Sequence, residues 1–233
     1  DDLRALPELA RAHGAQIILL AGDLLDSGSP YPETAKALAE TFDGCGAEVF
    51  LAPGNHDYYS AGAPYARLTF PENVHIFRTP RIEAVTLPEL GVRVWGAAFT
   101  DSRCPGLLRG FSVPKQAGLL DVLCVHGEVG NPASAYNPVS AAELAASGLD
   151  YAAFGHVHRF GGVHHVLGLA ADPQLAVPVG HRHIKFLFQQ ADVLVKGAEN
   201  IYGLLHPLNA EPLFHAITPK VIRTRRPVHL LYK

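Results

Sequence analysis

The chain has 233 residues, of which 48% are hydrophobic and 18% charged, so a packed core is expected and a mainly disordered state is excluded. Its 19 basic and 22 acidic residues give a formal net charge of −3, which excludes a histone-like electrostatic binder of nucleic acid. The length allows one large domain or two small ones.

The cysteines and the hydropathy pattern exclude several classes of protein. The cysteines are Cys45, Cys104 and Cys124, and no CxxC pair occurs, so neither a disulfide framework nor a thiolate zinc site is indicated. No apolar run approaches the roughly 18 residues that span a bilayer, and DDLRALPELA is not a signal peptide. We therefore expect a cytoplasmic protein without a membrane segment. The absence of methionine predicts that these residues begin inside a longer or processed chain.

The first part of the chain alternates helix and strand patterns. Residues 3–12 place leucines on one helical face before Gly14, and QIILLAGD follows as a short apolar strand ending at Gly22. The pattern repeats with a helix at 32–42 and EVFLAPGNHD as a strand ending at Gly54. Short apolar strands that follow helices predict a parallel sheet buried on both faces, and hence the α/β class.

The middle of the chain changes character and then returns to this order. Residues 74–99 contain the short β-rich runs VHIF, RIEAVTL and VRVWGAAF, which predict a meander or hairpin. From Asp121 the strand DVLCVHG, a helix capped by Ser140 with Glu143 closing a capping box, and the strand DYAAFGHVH follow in turn.

Beyond residue 165 the pattern fades, and no structure is assigned. Residues 1–165 hold 11 basic and 18 acidic residues (net −7), whereas 166–233 hold 8 and 4 (net +4), which together give the −3 of the whole chain. We therefore predict one domain over 1–165 and a divergent C-terminal region over 166–233. We expect this region not to complete the sheet, so that one sheet edge stays uncovered.

Polar clusters follow four of the predicted strands. Because carboxyl ends of strands in an open α/β sheet face one crevice, these side chains can converge. Carboxylate, amide oxygen and imidazole form a mixed set suited to Mn²⁺, Fe²⁺ or Zn²⁺. Each cluster alone also fits a turn or a half-buried histidine, but the ordered set indicates a metal site. The clusters are Gly22-Asp23-Leu24-Leu25-Asp26, Gly54-Asn55-His56-Asp57, His126-Gly127-Glu128 and Gly155-His156-Val157-His158.

The ordered set GDLLD, GNHD, a strand-end histidine and GHVH resembles the calcineurin-like metallophosphoesterase superfamily. The linking phrases GNHDYYSAGAPY, FPENVHIF and GLDYAAFGHVHRF look like those of bacterial DNA repair exonucleases, the SbcD-like nucleases. The resemblance covers about residues 1–163. It implies a metallophosphoesterase-type β-sandwich flanked by helices.

The resemblance also implies a metal-binding role for five residues. Asp23 would bridge two divalent metal ions, and His158 would reach one of them. The shell of the other ion would be completed by Asn55, His126 and His156. Mn²⁺ is the expected metal, with Fe²⁺ or Zn²⁺ as alternatives. Two such ions would activate a hydroxide and neutralise the phosphate.

Two further residues have implied catalytic roles, and one family motif is missing. His56 would stand beside the phosphate as general acid or transition-state stabiliser, and Asp57 would orient its ring. Family members begin with a strand ending in Asp-x-His, which supplies ligands to the first metal, but no DxH occurs in this sequence. We therefore expect that strand upstream of Asp1. The residues given would hold one metal site nearly complete and half of the other.

The leading functional hypothesis is a two-metal phosphodiesterase that acts on DNA ends, as an exonuclease-type repair nuclease. DNA and a long coiled-coil ATPase are its expected partners. A phosphoesterase for small nucleotides or phosphoproteins is an alternative, since the motif set does not specify the leaving group. A non-catalytic module that binds a metal or a phosphate is another, because DxH is absent.

Overall fold

The computed structural model describes residues 2–26, 28, 30, 32–156, 163–164, 184–189, 192–195 and 201–206. Its helices in chain order are α1 (Asp2–His13), α2 (Pro32–Thr41), α3 (Pro64–Arg67) and α4 (Ala141–Ser147). Its strands are β1 (Ile17–Leu20), β2 (Glu48–Leu51), β3 (Val74–Ile76), β4 (Glu83–Leu87), β5 (Val92–Gly96), β6 (Leu120–His126), β7 (Glu128–Val129), β8 (Pro138–Val139), β9 (Tyr151–Gly155), β10 (Val163–His164), β11 (Ile184–Gln189), β12 (Asp192–Val195) and β13 (Ile201–His206).

Two large sheets contain most of the strands. The first has the order β13-β11-β1-β2-β3, and every neighbouring pair in it is parallel. The second has the order β10-β12-β9-β6-β5-β4; its centre, β9-β6-β5, is parallel, while β4 and β12 run antiparallel to their neighbours β5 and β9. The carboxyl ends of β1, β2, β6 and β9 therefore provide the loops that carry the four polar clusters.

The side chains of β1 alternate between two cores, which shows how the layers pack. Ile17 and Leu19 belong to the core between the two sheets, together with residues of β2, β5, β6 and β9. Ile18 and Leu20 lie on the other face, in a second core with residues of α1 and α2. A third core, which includes Leu144 of α4, covers the outer face of the second sheet. Since both faces of the central strands β1, β2, β6 and β9 are buried, these strands are mostly apolar, as the sequence indicated.

The predicted fold class, an α/β sandwich of sheets flanked by helices, is confirmed. The capping box at α4 is also present: Ser140 accepts a hydrogen bond from the backbone N–H of Glu143, and the Glu143 carboxylate accepts one from the backbone N–H of Ser140. The three cysteines are buried and free, as expected for a chain without a disulfide framework.

The expected meander over 74–99 is only partly correct. β4 and β5 form an antiparallel hairpin in the second sheet, as predicted. β3 instead joins the first sheet, parallel to β2, because the chain crosses over between them through 52–73. A run of only three residues carries no sequence signal that assigns it to one sheet or the other.

The expectation that residues after 165 leave a sheet edge uncovered is wrong. β11 pairs in parallel with the whole length of β1, from Ile17 opposite Phe186 to Leu20 opposite Gln189. β12 pairs antiparallel with β9 in the second sheet. Strands from this part of the chain therefore extend both sheets, while the domain boundary at residue 165 stays a prediction.

No helix in the described part of the chain combines the length and apolar character that crossing a membrane requires. The longest, α1, has 12 residues.

Candidate metal centre

The loops after β1, β2, β6 and β9 bring four predicted ligands together. Asn55 Oδ1 lies 2.9 Å from His126 Nε2 and 3.2 Å from His156 Nδ1. Asp23 Oδ2 lies 3.2 Å from the same His126 nitrogen. One ligand atom each from Asp23, His126 and His156 fall within 4.8 Å of one another. The described chain thus places one carboxylate, one amide and two imidazoles around a common point.

Glycines allow these loops to approach so closely. A Cβ on Gly22 would collide with the ring of His126, and one on Gly54 would collide with the Asp23 carboxylate. Gly22 also has a φ of 91°, in the region that favours glycine. Substituting either residue would force two ligand loops apart.

Two of the ligands themselves have unusual backbone conformations. Asp23 has a φ of 52° and His156 a φ of 131°, although neither is glycine. Such conformations cost on the order of 1–3 kcal/mol each and persist where the surrounding structure fixes them, which is often at functional sites. The backbone is held in these conformations at two of the four converging positions.

The hydrogen bonds of His126 determine which of its nitrogens can bind a cation. Its ring is buried and its Nδ1 lies 2.9 Å from the carbonyl oxygen of Ala21. Because a carbonyl only accepts, Nδ1 must carry the proton, and in the neutral ring Nε2 then has a lone pair. That lone pair points at Asn55 Oδ1 and Asp23 Oδ2.

The surroundings of the carboxylate oxygen Oδ2 of Asp23 show that these residues fit a metal ion. This oxygen is buried and accepts no hydrogen bond. Burial alone would raise the pKa of Asp23, but the neighbouring His126, with smaller contributions from His56, lowers the pKa overall. With His126 neutral, Asp23 Oδ2, Asn55 Oδ1 and His126 Nε2 are acceptors with no donor among them. A divalent cation satisfies all of them, and the nitrogen and oxygen donors suit Mn²⁺, Fe²⁺ or Zn²⁺.

His56 and Asp57 occupy very different environments. His56 is exposed, and its backbone N–H donates to Asp23 Oδ1 at 2.9 Å, which places the residue at the rim of the site. The expected contact between Asp57 and the His56 ring is not among the described hydrogen bonds. The Asp57 carboxylate is instead fully buried and accepts hydrogen bonds from backbone N–H groups, including that of Gly54 at 2.8 Å. Asp57 therefore supports the loops rather than the ring.

The remaining predicted residues lie at the edge of the site or outside the described chain. Asp26 is exposed and is not part of the ligand group. His158, the ligand expected for the second ion, lies outside the described residues, so that role stays a prediction.

The structure adds residues beside the site that the sequence did not assign. Asn137 is buried and donates to the carbonyl oxygen of His126 at 2.8 Å. Glu128 Oε2 lies 4.0 Å from His156 Nε2, and the ring of Tyr136 packs against that of His156 at a tilt of 34°, with centroids 4.6 Å apart. Tyr65, from α3, donates to Asp57. Glu128 had a sequence signal, its place directly after His126-Gly127 at a strand end, and Tyr136 had one as a loop aromatic that could stack on a base or sugar.

Comparison with known proteins agrees with this geometry. The chain is similar to the uncharacterized metallophosphoesterase YhaO of Bacillus subtilis (strain 168), with 29% identity over 168 residues. The alignment covers 67% of this chain and 40% of that relative, so the chain spans less than half of the relative's length. The model of the calcineurin-like phosphoesterase family matches residues 1–160. These matches confirm the family that the ordered motifs predicted, and the chain belongs to the calcineurin-like phosphoesterase family.

Proposed function

We propose that this chain is a metal-dependent phosphodiesterase that hydrolyses DNA from its ends. The observation that carries the catalytic part of the proposal is the convergence of acceptors around Asp23. Its buried Oδ2 receives no hydrogen bond and faces the Nε2 lone pair of His126. A buried carboxylate without a compensating partner is costly, and a bound cation removes that cost.

Four residues of the site would hold a cation, and one would act on the substrate. Asp23, Asn55, His126 and His156 would hold the ion. When bound, a divalent ion lowers the pKa of water and stabilises charge on a phosphate. The exposed His56 lies beside this group, where it can donate a proton to the leaving oxygen or a hydrogen bond to the transition state.

The number and identity of the ions extend this proposal. We expect Mn²⁺ to be preferred and two ions to act in the complete domain, with His158 as a ligand of the second. The described residues contain one group able to hold an ion, so a single tight site is expected from them.

The choice of DNA as substrate comes from the linking phrases that resemble SbcD-like nucleases. The same likeness suggests a coiled-coil ATPase as partner and a cytoplasmic location, and the buried free cysteines suit a reducing compartment. A phosphoesterase for small nucleotides or phosphoproteins uses the same metal chemistry. A binding module without catalysis is the remaining alternative, favoured by the single ligand group in the described chain.

Hydrolysis assays on the full chain with Mn²⁺ test the proposal. The substrates are end-labelled duplex DNA, bis(p-nitrophenyl) phosphate as a general diester, a cyclic mononucleotide and a phosphopeptide. We expect nucleotide release from DNA ends that exceeds turnover of the small substrates. Turnover of the small substrates or the phosphopeptide alone would favour the alternative enzyme, and bound Mn²⁺ without any hydrolysis would favour the binding module.

The variant His56→Ala sharpens this assay. Loss of a proton donor or hydrogen-bond donor to the transition state lowers kcat by about 10²-fold, while Mn²⁺ affinity is unchanged. His75→Ala is the matched control. His75 on β3 pairs with Glu48 on β2, with 2.6 Å between Nε2 and Oε2, and this pair lies away from the ligand loops. Equal kcat in His56→Ala and the parent would assign the donor role to another residue.

A further inference from the structure

The carboxylate of Asp57 is a junction between two of the ligand loops. Its Oδ1 accepts from the N–H of Asp23 at 3.2 Å and of Gly54 at 2.8 Å. Its Oδ2 accepts from the N–H of Leu24 at 2.8 Å and of Leu25 at 3.2 Å. One side chain therefore binds the backbone after β1, which carries Asp23, and the backbone after β2, which carries Asn55.

A third segment fixes the junction from behind. The hydroxyl of Tyr65, on α3, donates to Asp57 Oδ2. Tyr65 is 2% exposed, and its ring packs against Phe70 with centroids 6.4 Å apart. Burial, followed by the negative charge of Asp57, raises the pKa of Tyr65 well above its usual value, so the hydroxyl keeps its proton and acts as a donor.

The Asp57 carboxylate binds the backbone at a residue with an unusual conformation. Asp23 is held at a φ of 52°, and its own N–H is one of the groups bound by Asp57. A carboxylate has about four lone-pair directions, so five donors on two oxygens leave little freedom to rotate. Rotation of this side chain would release the loops of Asp23 and Asn55 together.

We propose that Asp57 and Tyr65 form a positioning pair that sets the distance between Asp23 and Asn55 and so prepares the ligand group for its ion. This inference rests on the proposed function, since it assigns the pair to the same metal site. Neither residue is among those that would hold the ion. Residues that orient metal ligands from behind typically contribute about 10- to 100-fold in affinity.

The variant Tyr65→Phe tests the pair, because it removes the hydroxyl and keeps the ring. The control is Tyr151→Phe, which removes a hydroxyl from another fully buried tyrosine, in the core between the sheets. Asp57→Asn is the second variant, since an amide at Oδ2 would present a donor to the N–H groups of Leu24 and Leu25. Two measurements on the full chain compare them with the parent.

The first measurement is amide hydrogen exchange without metal, followed over 22–26 and 53–57. We expect both segments to exchange faster in Tyr65→Phe, and faster still in Asp57→Asn, with no change in Tyr151→Phe. Unchanged exchange rates in Tyr65→Phe and Asp57→Asn would overturn the proposed positioning pair, whether or not the parent binds metal. This readout therefore separates failure of the pair from failure of the proposed function.

The second measurement is the dissociation constant for Mn²⁺. We expect Tyr65→Phe to raise Kd by about 10- to 100-fold and Tyr151→Phe to leave it unchanged. Faster exchange with the parent's Kd would overturn the positioning role and leave only a structural one. A parent that binds no Mn²⁺ would overturn the positioning role together with the proposed function, and the exchange data would still report on the loop contacts.

Discussion

The two ends of β6 bury charge in opposite ways. Near its amino end, Asp121 is fully buried, with Arg93 Nε at 2.7 Å from its Oδ1 and Trp95 Nε1 at 2.9 Å. Its Oδ2, like Asp23 Oδ2, accepts no hydrogen bond, but Lys115 Nζ lies 3.5 Å from it. At the carboxyl end, His126 meets Asp23 and Asn55, and no lysine or arginine is among the described partners of Asp23.

The difference distinguishes a structural cluster from a binding site. Asp121 has cations supplied by the protein itself, so its charge is compensated in the folded chain. Asp23 faces acceptors, and its compensation must come from outside the chain or from protonation of His126. The partners of a buried carboxylate therefore show its role. A buried carboxylate that lacks a cation from the protein indicates a ligand site.

The largest expected effect is on stability, at the amino end. Arg93→Met leaves Asp121 buried without its closest cation, so we expect a loss of about 3–5 kcal/mol in the free energy of unfolding. Urea unfolding measures the loss, and the affinity for Mn²⁺ in the folded variant should match the parent. Arg81→Met is the control, because Arg81 is exposed. A loss below about 1 kcal/mol would show that Arg93 does not compensate Asp121.

A second prediction concerns the carboxyl end. Asp23→Asn removes the buried charge that a cation would meet, so Mn²⁺ affinity should fall by at least about 100-fold, more than for loss of an outer contact. Stability without metal should fall by much less than in Arg93→Met, because His126 is charged only when protonated and is a weaker counter-charge for Asp23 than Arg93 is for Asp121. Asp26→Asn is the control in the same loop, as Asp26 is exposed and outside the ligand group. Calorimetric titration and urea unfolding report the two quantities. A loss of metal-free stability in Asp23→Asn as large as that of Arg93→Met would make Asp23 structural, like Asp121.

The smallest expected effect is at the rim of the amino-end cluster. The Lys115 side chain is 51% exposed and lies 3.0 Å from Asp150. Exposed pairs contribute little, so Lys115→Gln should lower the free energy of unfolding by no more than about 1 kcal/mol. Urea unfolding beside Arg93→Met gives the comparison. A loss as large as that of Arg93→Met would mean that Lys115 is the main counter-charge of Asp121.

The sequence was sufficient for features that depend on local pattern. Short apolar runs predicted the positions of β1, β2, β6 and β9, and the polar residues at their ends predicted four side chains that converge. The capping box at Ser140 also needs only the residues of its own turn. In each case the physical signal lies within about ten residues of the chain.

Features that depend on contacts between distant segments were missed. Asp57 binds the N–H of Leu24, 33 positions earlier, and Asn137 binds that of Leu107, 30 positions earlier. Neither spacing has a sequence signature. The pairing of β11 with β1 likewise joins opposite parts of the chain, and its apolar run could be assigned to several structures from sequence alone.

Direct titration with Mn²⁺, followed by the electron paramagnetic resonance signal of the free ion, tests most directly whether the acceptors around Asp23 form a cation site. The account predicts one tightly bound ion per chain in the parent and in Asp26→Asn, and loss of tight binding in Asp23→Asn. A parent that leaves all added Mn²⁺ free, or equal binding in Asp23→Asn and Asp26→Asn, would contradict it.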